Sequence, residues 1–299
     1  MTIEDKNRIY KIAKYKKQQA EKDYAEKKQR AEQLDLNLFG NLKLIFGLTP
    51  EKALKWFQEK LPELSEHWYD LWENEHITSF TVAGVASMDL LLEIQNQLER
   101  ALTEGITFAE FQESIEEKLD SAGWSSGEET LLPSRLTTIW RTNLKSAYSA
   151  GRWDSIQENK ASRPFLQYRT LEDDSVRLEH AELDLRVFKA DDVFFNSHYP
   201  PNGFSCRCFC VALAPRDIAR KNLEIETGEG NMGEREVVLN KADDIRVKVT
   251  TYKDPKTGEE IGTDPGFSYN VGKKKFSPDL STYPSKLKKE YKDYLNSSK

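Results

Sequence analysis

Cysteine is nearly absent from this chain: Cys206, Cys208 and Cys210 are the only three, and they fall within five residues. So small a cluster is no framework for a disulfide-stapled fold, which leaves reduced bystanders or ligands. Long apolar runs are missing too. None approaches the ~18 residues of a membrane span, so no bilayer anchor is expected. The first residues lack the apolar segment and small-residue cleavage site of a signal peptide, so synthesis and retention in the cytosol are expected. Glycine and proline are both absent from Met1 to Phe39.

What is present is charge. Charged residues make up 31% of the 299 residues and hydrophobic residues 38%, a soluble composition with a wet surface. The length suggests two domains plus tails. The net charge of −6 is unevenly spread. Residues 1–34 carry ten Lys or Arg against six Asp or Glu, and residues 285–299 carry five against two, which leaves the body at −13. Basic ends on an acidic body favour charged partners at the tails, and DNA contact is expected only there.

Residues 1–39 read as a charged helical arm, because Ile3, Ile9, Ile12, Ala20, Tyr24 and Ala31 make too thin a stripe to bury much alone. A helical domain is expected over 40–160. Thr49-Pro50-Glu51 opens a helix whose Ala53, Trp56, Phe57 and Leu61 recur at helical spacing. Leu64 to Trp72 is a second aromatic segment, expected to be helical, and Ser79 to Val85 is a short β-prone stretch or connector. Leu90, Leu91, Ile94, Leu98 and Leu102 define the next helix. Thr107 with Glu110 has capping-box spacing. Ser134 is expected to cap a long helix carrying Leu136, Ile139, Trp140 and Leu144.

A β-containing domain is expected over 161–215, with strands near Phe165 to Leu171 and Leu185 to Phe188. From Cys206 to Leu213 alternate positions separate, as in a strand, with the cysteines on one side. Residues 216–299 read as a loosely packed, partly β tail, with strand alternation at Ile245, Val247 and Val249 and a last basic helix over 284–295. The fold class is therefore α+β.

The densest chemistry runs from Tyr168 to Cys210. An acidic turn (Glu172-Asp173-Asp174-Ser175) leads to Arg177 and His180, then Asp191-Asp192 before Phe194. Pro200-Pro201-Asn202-Gly203 follows, and then Cys206-Arg207-Cys208. In this order the segment resembles the shared domain of the phage Mu minor head protein F family, also called the head morphogenesis family. The H-x-x-L step here runs into Asp184 and Leu185, where the family usually has glycine, and Phe194-Phe195 stand where Trp is frequent. TIWRTNLKSAYSAGRW (Thr138 to Trp153), SFTVAG (Ser79 to Gly84) and DPGFSYNVG (Asp264 to Gly272) extend the resemblance. It implies a low-copy component of a tailed-phage or prophage head. Such a protein works with portal, scaffold or major capsid proteins in the host cytoplasm and in the virion head, and it is not an enzyme.

Several readings of the cluster stand side by side. His180 as general base with Arg177 on a phosphate would suit an effector-like nuclease or transferase. A structural zinc could be held by His180, Cys206 and Cys208, with Asp173 or His198 fourth. Reduced buried cysteines and a hydrogen-bonded histidine are the plainer reading, and the one preferred. Asp173, Arg177 and Asp192 read as an ion-pair network fixing loop geometry. Pro200 to Gly203 reads as turn chemistry setting the entry to the cysteine strand. His67 and His76 are expected to be structural. A zinc-dependent DNA-binding module is disfavoured by the −13 body, which repels phosphate.

Overall fold

The computed structural model describes residues 51–85, 87–121, 133–171, 176–241 and 244–273. The charged arm, the Thr49-Pro50 cap, the acidic turn 172–175 and the basic helix expected over 284–295 lie outside them.

Four helices build the first core: α1 (Glu51–Gln58), α2 (Met88–Thr103), α3 (Phe108–Ser121) and α4 (Pro133–Glu158). Each is amphipathic in the way its spacing requires. On α2 the buried apolar positions are Leu90, Leu91, Ile94, Leu98, Ala101 and Leu102, one stripe at steps of three and four, with Gln97 buried beside them. Ser87 caps its first turn by accepting from the Leu90 amide. The capping box before α3 is formed, with the Thr107 amide donating to Glu110 and the Glu110 amide to the Thr107 hydroxyl. These stripes meet Phe57, Phe80, Phe111 and Trp140 in one apolar cluster. Gly151 lets α1 lie directly on α4, because a Cβ there would stand 2.8 Å from the Ala53 amide nitrogen.

Two local expectations are corrected. Leu64 to Trp72 forms no helix, because the Asp70 carboxylate captures the Glu66 and His67 amides at 2.8 and 2.7 Å and fixes a turn instead. The helix α4 begins at Pro133, so Ser134 lies inside it and not before it; proline suits a first helical position, where its missing N–H costs nothing.

The 26 residues of α4 run about 39 Å and serve both cores. Beyond Ala147 its buried residues Ala150, Trp153 and Ile156 belong to the second core. That core is built on the antiparallel sheet β4 (Val187–Lys189), β3 (Phe165–Arg169), β5 (Phe209–Leu213), with β3 central. Tyr168 pairs with Cys210 and Leu166 with both Phe188 and Ala212. A short parallel pair, β1 (Leu61–Pro62) with β2 (Ser79–Phe80), links the helical body to the loop beside it.

The C-terminal stretch is partly β: β6 (Met232–Asn240), β7 (Ile245–Lys253) and β8 (Glu260–Gly262) form an antiparallel meander. It is packed more firmly than its turn-rich sequence suggests. Tyr252, Ile261, Tyr269 and Val271 are buried in the same core as Phe188, Phe194 and Phe195. The reason is aromatic: Tyr252 sets its ring edge-on to both Phe188 and Phe194, at 5.6 and 5.2 Å. The whole is an α+β fold.

Candidate functional site

The site forms where a single helical turn, α5 (Leu178–Ala181), faces the approach to β5. The turn turns His180 inward, 2% exposed, and Leu178 outward, 86% exposed. Glu179 moors it to the meander, accepting from Arg235 at 2.7 Å and from the Gly262 amide at 2.7 Å.

Opposite, the chain bends at Ser205, whose φ of 56° is left-handed, and the Cys206 amide donates back to the Gly203 carbonyl. The ladder with β3 starts only at Phe209, so Cys206 and Cys208 precede the regular strand. All three cysteines are buried, while Arg207, Phe209 and Val211 between and beyond them are half-buried. The bend brings two sulfurs to one ring nitrogen: His180 Nδ1 lies 3.8 Å from Cys206 Sγ and 3.7 Å from Cys208 Sγ. The three donor atoms all lie within 4.8 Å of one another.

Their electrostatics are unequal. The hydrogen bond from Cys208 and the nearby His180 hold the Cys206 thiol well below its ordinary range, against the opposing effect of burial. The hydrogen bond to Cys206 and burial push the Cys208 thiol up. Burial, with a smaller push from Cys206, drives the Cys210 thiol up against the opposing charges of Lys145 and Arg152. The Lys145 ammonium on α4 is buried and drawn down by desolvation, while the charge of the three cysteines opposes that shift.

The other residues of the motif do supporting work. Arg177 pairs with Asp264 at 2.9 Å and donates to the Phe204 carbonyl at 2.8 Å, strapping α5 to the loop ahead of Cys206. Gly203 packs against Asp264 so closely that a Cβ would meet its Oδ2 at 2.1 Å. Pro200, Pro201, Asn202 and Gly203 form a buried turn whose Pro200-Pro201 bond is cis. Asn202 donates to the Tyr168 hydroxyl at 3.1 Å and to the His198 carbonyl at 3.3 Å. Asp192 accepts from the Phe194 and Gly228 amides and from the Thr227 hydroxyl, pinning two loops, while Asp191 makes an exposed pair with Lys160.

The structure therefore brings together His180, Cys206 and Cys208 and leaves other candidates apart. Asp173 lies outside the described residues. His198 has both ring nitrogens engaged, Nε2 donating to the Ile261 carbonyl at 3.1 Å and Nδ1 accepting from Ser197 at 2.8 Å. Burial brings its pKa down to about 4, and its ring stacks on Phe194. A satisfied core histidine of this kind has no lone pair left for a metal. Arg177 and Asp192, expected in one ion-pair network, serve separate contacts. His67 stacks on Tyr69, and burial brings His76 to about 4.

Sequence reasoning did not single out Asp264, Glu179 or the cluster of Arg186, Glu226, Tyr252 and Asp254. Asp264 stands at the head of the DPGFSYNVG match, which was signal enough to find it. Nothing in the sequence pointed to the others.

Comparison with known proteins bears on the same region. Residues 92–211 match the family described as Phage Mu protein F like protein, a span from α2 to β5 that contains the whole cluster. The chain is 34% identical over 248 residues to a protein of Escherichia phage Mu named as capsid assembly protein F, covering 78% of this chain and 56% of that protein. It is 31% identical over 227 residues to the Mu-like prophage FluMu F protein of Haemophilus influenzae, covering 72% and 54%. The chain thus spans about half the length of these curated relatives. No solved structure matches it.

Proposed function

Over residues 92–211 this chain belongs to the Phage Mu protein F like family, and from that premise we propose that it is a minor structural protein of a tailed-phage or prophage head. It acts while the head is built, in the host cytoplasm, and stays with the virion head. Its partners are the proteins of that head, in particular portal, scaffold and major capsid protein. The observation that carries this reading is the 34% identity over 248 residues to the phage Mu protein, which runs far beyond the short motif.

The site supports a structural role. Its histidine and cysteines are 2–4% exposed, and its arginine is committed to Asp264 and a backbone carbonyl. An acid–base pair for a phosphate substrate needs access and an uncommitted cation. Among the described residues no helix is long and apolar enough to cross a membrane.

The test is the composition of heads. After induction of the phage or prophage, quantitative mass spectrometry of purified procapsids and heads should find this chain in far fewer copies than the major capsid protein. Its absence at every assembly stage would overturn the proposal.

A further inference from the structure

We propose that His180, Cys206 and Cys208 bind one zinc ion, which locks α5 to the loop entering β5. The first argument is dimensional. Zinc bonds of about 2.3 Å to sulfur and 2.0–2.1 Å to nitrogen give a tetrahedral N···S edge of about 3.6 Å. The two observed edges are 3.8 and 3.7 Å. A tenth or two of an ångström of closure brings both N···S edges to that value, and the two sulfurs lie within 4.8 Å of each other.

The second argument is chemical. One ring nitrogen faces two sulfurs at nearly equal distance, an arrangement poorly served by a single hydrogen bond and well served by one cation. Two thiolates and an imidazole are a borderline-soft donor set, which suits zinc over magnesium or calcium. Buried thiolates need positive charge, which the metal supplies.

The third argument is architectural. Cys206 and Cys208, separated by one residue, would not share an ion on a flat strand. Here the left-handed Ser205 and the late start of the ladder at Phe209 free their backbone from the sheet. The strap from Arg177 to Asp264 and Phe204 holds the two segments in register before any ion binds. Three donors converge among the described residues, so the fourth position falls to water or to a donor beyond this set.

The experiment uses the full chain without a histidine tag, purified under reducing conditions, stripped with a chelator and then given Zn2+ alone or Co2+ alone. The expected result is near one zinc per chain by elemental analysis. Cys206→Ser, Cys208→Ser and His180→Ala should each cut retention at least tenfold, while Cys210→Ser keeps it. A cysteine variant that fails to fold would lose metal trivially, so the Co2+ spectrum of the wild-type chain is the independent measure. It should show sulfur-to-cobalt charge transfer and the visible bands of a tetrahedral ion. A folded wild-type chain that retains no Zn2+ and shows no such band overturns the proposal, as does retention of zinc by the variant lacking all three donors.

Discussion

Arg186 and Asp254, 68 residues apart in sequence, meet at 2.7 Å with the carboxylate side chain only 2% exposed. The same guanidinium reaches Glu226 at 3.0 Å, and the Tyr252 hydroxyl donates to that carboxylate at 2.9 Å. One arginine, just ahead of β4, thus fastens the loop before the meander and the end of β7 to the central sheet. Removing it leaves the Asp254 carboxylate with only the Lys256 amide and the Thr257 hydroxyl as donors, and Glu226 with the Tyr252 hydroxyl and the more distant Lys256 ammonium.

Arg186→Met should therefore cost about 3–5 kcal/mol, the range for breaking a buried pair from one side. The pH dependence has a definite sign. The Arg186 hydrogen bond holds the Asp254 carboxyl well below the usual carboxylate range. A depressed carboxylate contributes stability that is complete above its unfolded value, near 4, and is lost as pH falls below it. Urea unfolding between pH 7 and 3 should show that acid loss in the wild-type chain and a much smaller one in Arg186→Met.

Leu185 occupies a left-handed conformation, with φ of 66°, at the point where the Mu F-like pattern usually has glycine. The tight turn is kept regardless: the Leu185 amide donates to the Tyr168 carbonyl at 2.9 Å and its carbonyl accepts from Gln167 at 3.0 Å. The side chain gains little for this strain, being 55% exposed. Asparagine tolerates this conformation better than leucine does. Leu185→Asn should stabilise the chain by about 0.5–1 kcal/mol, read as a higher denaturation midpoint at unchanged m-value. A lower midpoint would show that the exposed leucine does more than the structure indicates.

Lys60 is buried beneath the Trp56 ring, 4.1 Å from its centre, and donates to the carbonyls of His76 and Ser79. Burial brings its ammonium down to about 7. The unfolded chain, with lysine near 10.4, therefore holds the extra proton between pH 7 and 10, and stability rises with pH across that window. The rise should be on the order of 1–3 kcal/mol. It should be absent from the difference curve of Lys60→Met, measured by urea unfolding at pH 7, 8, 9 and 10.

Much of this fold is legible where the signal is local. The stripe of α2, the capping box at Thr107 and Glu110, and the one-sided burial of Cys206, Cys208 and Cys210 follow from spacing alone. The β character of residues 165–169 shows in the change of texture after Pro164, not in spacing, since the strand buries three residues in a row. Leu64 to Trp72 misleads because aromatic richness says nothing of backbone shape, and one carboxylate, Asp70, decides it by taking two amides. The site was legible in membership but not in wiring. His180 and the cysteines could be named, yet the partner of Arg177 is Asp264, 87 positions along. Polar pairs across such separations follow from how two sheets dock, and a sequence carries no period that marks them.

Glu179 shows what that docking does for the cluster. Its carboxylate accepts from Arg235 on β6 at 2.7 and 2.9 Å and from the Gly262 amide on β8 at 2.7 Å, so the meander is tied to the residue next to His180. The turn α5 is four residues long and could not hold its shape alone. It is fixed on one side by Glu179 and on the other by His180 and Arg177. Cutting the first tether should loosen the turn without touching the donors. Both side chains are about a third or more exposed, so solvent screens the pair. The global cost of Glu179→Ala should then be about 1–2 kcal/mol. The local cost is larger, because the Gly262 amide loses its acceptor. Its hydrogen exchange should accelerate more than that of amides in α2, which lie in the other core. Uniform acceleration in both cores would mean that the change is purely global, and that α5 is not held by the meander.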